Sequence, residues 1–135
     1  MDWSDLKAPS LEEIETLADK AFGKLPPQFR ARCHGLIIRV EEFPDEDVMR
    51  EMELETPFDI LGLYQGVSVA YEEAGGPPRL PDMVFLYRRP LLDYWAEYEE
   101  TLAALVTHVL VHEIGHHFGL SDEAMHAIDE EASQA

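Results

Sequence analysis

The stretch VLVHEIGHHFGLSD, residues 109–122, places four groups able to hold or use a metal ion within eleven residues. His112 and His116 are four positions apart. On an α-helix that spacing puts both imidazoles on one face, one turn apart, where they can converge on a single ion. Zinc accepts such nitrogens at about 2.0–2.1 Å. Glu113 lies about 100° round the helix from His112. It is badly placed as a ligand but can reach a water beside the ion, the role of a general base in an H-E-x-x-H arrangement.

A catalytic zinc needs a third protein ligand and an open fourth position. The spacing continues to Gly119 and then Asp122. Glycine can adopt a positive φ and end a helix sharply, so the chain can turn back and bring the Asp122 carboxylate toward the metal. A shuffled chain of this composition contains H-E-x-x-H roughly 3 times in 100, and the added Gly and Asp lower that to the order of 1 in 10,000. The competing reading is a helix end whose histidines are merely solvated, with imidazolium favoured by the dipole.

The remaining histidines are weighed the same way. Three histidines on a straight helix, His108, His112 and His116, span about 12 Å and cannot all reach one ion. His108 is therefore expected beside the ligands, in a pocket wall or in the core. His117 points off the ligand face and is expected to pack or hydrogen-bond. His126 is the reserve third ligand, Met125 a core residue or a floor beneath the metal, and His34 structural.

Working outward, Thr101 to Phe118 reads as the longest helix, with Leu102, Leu105, Val106, Val109, Leu110 and Ile114 apolar. Ser121 or Asp122 caps a last helix running to about Glu131. Ser10 caps a first helix that Pro26-Pro27 end. Its apolar stripe is Leu11, Ile14, Leu17, Ala18 and Phe22. Leu36 to Val40, ILGLYQGVS and MVFLYRR read as strands, the last stopped by Pro90. Asp45 to Leu54 reads as a short acidic helix, EEAGGPPRLPD as a loop, and LLDYWAEY as a turn or short helix. The sum is an α+β domain spanning 1–135, with three to four helices, a sheet of about three strands and the active-site helix near the C-terminus.

Ten basic against 28 acidic residues leave a net charge of −18. Nucleic acids and anionic membrane surfaces are unsuitable partners for such a chain, whereas basic peptides would be attracted. No apolar run reaches the roughly 20 residues of a membrane span. The acidic N-terminus lacks a signal-peptide pattern, and Cys33 is the only cysteine. A cytoplasmic location is the expectation, with Cys33 a small buried residue.

HEIGHHFGLSD resembles the zinc motif of the zincin metallopeptidases, and its Gly and Asp resemble the extended metzincin pattern. Metzincins have a substantial C-terminal part carrying a methionine turn, whereas 13 residues follow Asp122 here. A closer resemblance is to a family of short bacterial zincin-like metallopeptidases, through LGLYQG, LPDMVFLYRRP and VHEIGHHFGLSD. It implies a minimal zincin fold with one Zn²⁺ on His112, His116 and Asp122, and Glu113 acting on the zinc-bound water. In zincins an edge strand binds extended substrate by strand addition, a part that MVFLYRR or ILGLYQG could play. The expected function is hydrolysis of peptide bonds in a peptide or protein substrate. The alternative is a metal-binding or interaction module that keeps the site but cleaves nothing. Tyr64, Tyr87, His108 and His126 are the candidates for stabilising an oxyanion.

Overall fold

The computed structural model describes residues 2–33, 35–66 and 82–134. His34, the end of the strand read at Ile60–Ser68 and most of the loop read at Glu72–Asp82 lie outside them. Among the described residues, six α-helices and a three-stranded mixed sheet follow a short 3-10 turn (Trp3–Asp5): α1 (Leu11–Gly23), α2 (Pro27–Arg30), β1 (Ile37–Glu41), α3 (Glu46–Glu51), β2 (Gly62–Gln65), β3 (Met83–Tyr87), α4 (Arg88–Glu97), α5 (Leu102–His117) and α6 (Asp122–Gln134). None of these helices is long and apolar enough to cross a membrane.

Local chemistry explains the first helix. The Glu13 N–H donates to Ser10 Oγ at 3.1 Å and the Ser10 N–H to Glu13 Oε1 at 3.0 Å, a reciprocal cap that satisfies two otherwise orphan donors. Ile14, Ala18 and Ala21 are the positions α1 buries. Leu11, expected in the stripe, is exposed at the first position of α1. Pro27 opens α2 rather than only ending α1, since the first helical position needs no N–H donor. The same physics moves the boundary at Pro90. Arg88 and Arg89 leave the strand and begin α4, with Pro90 in the first turn, where backbone donors have no intrahelical partner. Arg88 anchors that corner by donating to the Pro9 carbonyl at 2.6 Å and to Glu42 at 3.0 Å.

The sheet order is β1-β3-β2, with β1 parallel and β2 antiparallel to the central β3. Gly62 sets the approach of β2 to α5: a Cβ there would sit 2.9 Å from the Phe85 carbonyl oxygen and 3.0 Å from Val109 Cγ1. The edge strand therefore lies directly against the helix carrying the motif.

α5 is the centre of the core. It packs on α1, α4, α6, β2 and β3, and eight of its residues are buried, Leu105, Leu110 and Ile114 completely. Thr101 caps its start through the Ala104 N–H at 3.1 Å. At its end Gly119 takes φ +70°. The Leu120 N–H donates to the Gly115 carbonyl at 2.9 Å and the Gly119 N–H to that of His116 at 3.1 Å, the paired bonds of a Schellman stop. Ser121, not Asp122, then caps α6, accepting from the Ala124 N–H at 3.1 Å.

α6 folds back onto α5 through Met125, which is 1% exposed and seated on Gly115. A Cβ on Gly115 would fall on Met125 Sδ and 2.7 Å from its Cγ. Gly115→Val is expected to destabilise the fold by about 1–3 kcal/mol, the usual cost of overpacking. Pairing it with Met125→Ala should restore part of that loss. Urea denaturation of the two single variants and the double variant measures the coupling, and strictly additive losses would refute the contact.

Candidate metal centre

The last turns of α5 carry the motif residues. The His112 and His116 rings stand 5.8 Å apart, nearly perpendicular. His112 is half-buried and His116 exposed. Burial holds His112 below the usual imidazole range, reinforced by His108 and His116 and opposed by the carboxylates Asp129 and Asp122. A neutral imidazole is the form that ligates a metal.

Glu113 turns to the sheet side of α5. Burial raises its pKa above the usual carboxylate range, against the opposing pull of His116 and of a hydrogen bond from the Tyr64 backbone. The strand pairing explains that bond. Tyr87 donates its N–H to the Leu61 carbonyl at 3.0 Å. In the antiparallel register Leu63 and Gln65 then face β3, while Gly62 and Tyr64 direct their backbone groups outward. The Tyr64 N–H thus leaves β2 on the side away from β3, toward the Glu113 carboxylate.

Asp122 is the first residue of α6 and is exposed. The Gly119 turn brings it back toward α5, near enough for its charge to act on His112. His112 and His116 stand one turn apart on α5 and Asp122 opens α6 across the Gly119 turn, but these three are not brought within 4.8 Å of one another.

A second set draws on the same helix pair. Among the described residues, His108, His112 and Asp129 offer metal-capable atoms that all lie within 4.8 Å of one another. His108 Nδ1 is 2.8 Å from Asp129 Oδ2, and the His108 and His112 rings are 4.1 Å apart. Sequence reasoning did not select Asp129. The signal was its position seven residues after Asp122, two helical turns along the same face of α6.

The other residues singled out from the sequence have identifiable partners. His117 packs as expected, stacked on Tyr64 with centroids 4.0 Å apart. The Tyr64 hydroxyl donates to Asp82 Oδ2 at 2.6 Å, and Asp82 is completely buried. His126 Nε2 stands 3.2 Å from Glu130 on the exposed face of α6. Tyr87 is buried, and burial followed by the nearby carboxylates Glu41, Asp45 and Glu113 pushes its pKa up to about 12, so its hydroxyl keeps its proton. Met125 is core. Cys33 is half-buried against the core; burial, then the charge of Asp82, pushes its thiol up to about 11, the state of an unreactive thiol.

A family model described as zincin-like metallopeptidase matches residues 33–132 of this chain. No curated protein matches it with significance.

Proposed function

Since the chain belongs to the zincin-like metallopeptidase family, we propose that it is a zinc-dependent peptidase with His112, His116 and Asp122 as metal ligands and Glu113 as general base. The observation that carries this reading is the setting of Glu113. It stands next to a ligand histidine in sequence, is half-buried, has a raised pKa and is oriented by a backbone N–H of the neighbouring strand. A carboxylate with that bias accepts and returns a proton near neutral pH more readily than a solvated one.

A bound Zn²⁺ would act as a Lewis acid, acidifying the attacking water and polarising the scissile carbonyl. Glu113 takes the proton of that water and passes it to the departing amine. Of the two strands that the sequence offered for substrate, β3 is paired on both sides, whereas β2 is an edge of the sheet among the described residues, so the substrate would add to β2. The charge of −18 favours basic substrates through steering.

Digestion of a peptide library tests the reading. Zinc-loaded protein is expected to release fragments, a chelator to stop the release, and added Zn²⁺ to restore it. Zinc held stoichiometrically with no cleavage of any peptide would instead identify a metal-binding module.

A further inference from the structure

An open groove of about 250 Å³ between α5 and α6 is lined by His108 and Asp129, with Glu100, His126 and Glu130 around them, and His112 adjoins it through the His108 ring, 4.1 Å away. It lies toward the start of α5, on the side of His112 away from His116. We propose that this groove contains a second seat for a divalent transition-metal ion, formed by His108, His112 and Asp129. Because the motif seat also needs His112, each chain holds one ion, in one seat or the other.

The geometry supports such a seat. Bonds of about 2 Å to a tetrahedral ion place ligand atoms about 3.3 Å apart. The three donors already lie within 4.8 Å of one another, so small rotations of side chains suffice. The His108 side chain is 52% exposed and that of Asp129 19%, leaving room for them. Two imidazoles and one carboxylate select Zn²⁺ or Co²⁺ over Ca²⁺ and Mg²⁺, which prefer sets made wholly of oxygen. Glu100 and Glu130 add negative potential that concentrates cations, and the open groove leaves the fourth position to solvent.

Exclusivity follows from the helix. His112 lies four residues, about 6 Å along the axis, from His108 on one side and from His116 on the other. Turning toward one partner withdraws it from the other. An ion on His108 and Asp129 is also a turn farther from His116 and Asp122. Occupying the second seat therefore parks the metal and leaves the motif incomplete. That consequence, a latent form of the enzyme, rests on the peptidase reading, whereas the second seat itself does not.

Co²⁺ titration of the full chain, followed by equilibrium dialysis and visible absorption, tests the proposal. Wild type, Asp129→Asn and His116→Ala/Asp122→Ala are each expected to bind one Co²⁺. The two single-seat forms should give different absorption spectra. Adding Asp129→Asn to the double variant should weaken its binding more than about tenfold, the least that ligand-supporting groups usually contribute. His108→Ala, at an exposed position, should do the same and guards against a folding effect of one substitution. The second seat is overturned if the double variant binds no Co²⁺, or binds it equally well without Asp129 and His108. Two ions on wild type would overturn the exclusivity. If Asp129→Asn alone abolishes binding while the double variant keeps its ion, the motif assignment fails and the second seat stands.

Discussion

Glu113→Gln is expected to lower kcat/KM for peptide hydrolysis by about 10²–10⁴-fold, the usual contribution of a positioned general base, while zinc content stays unchanged. Glutamine matches glutamate in size and keeps an oxygen for the Tyr64 N–H, so the contact between α5 and β2 persists. It has no basic oxygen and cannot take the proton of the attacking water. The loss should appear in kcat more than in KM, because a base acts in the transition state and not in ground-state binding. A fluorogenic peptide assay beside elemental analysis reads both quantities. Product formed at the wild-type rate by Glu113→Gln would remove Glu113 from the mechanism.

The parts of this molecule that the sequence disclosed are those decided within a few residues. The capping box at Ser10 and Glu13, the Thr101 cap and the Gly119 stop each depend on side chains and backbone groups a turn apart, so their signals are local. The His112–His116 face of α5, with Glu113 about 100° round the helix from it, is legible for the same reason. Both boundary errors came from proline. Pro27 and Pro90 read as stops, yet each sits in the first turn of a helix, where a missing N–H costs nothing. The α+β class itself is as expected, with the short helices α2 and α4 opening at these prolines. Strand order was hidden because it depends on pairing between distant segments. MVFLYRR and ILGLYQG look alike as apolar runs, and only the sheet shows that the first is central and the second an edge.

Asp129 marks the same limit within the site. Nothing local ties it to His108, 21 residues earlier. The contact arises because the Gly119 turn sends α6 back along α5 and Met125 locks the two together on Gly115. His108, His112 and His116 span about 12 Å along the helix, too far to share one ion, but adjacent pairs are close enough to act. His108 with His112 is such a pair, and the returning helix supplies its carboxylate.

His112→Ala is expected to remove metal binding altogether, since His112 belongs to both ligand sets. In wild type, zinc at about 1,000 times its Kd should stabilise the fold by about 4 kcal/mol, because the ion binds the native chain in preference to the unfolded one. For a domain of this size that gain raises Tm by roughly ten degrees or more. His112→Ala should melt at the same temperature with and without zinc. His116→Ala should keep part of the shift through His108, His112 and Asp129, whereas His117→Ala, which removes none of the proposed ligands, should keep all of it. Differential scanning calorimetry of the four proteins, with and without zinc, distinguishes these outcomes. A full zinc-induced shift in His112→Ala would place the ion elsewhere in the chain. The same shift lost from His116→Ala as completely as from His112→Ala would leave only the motif seat.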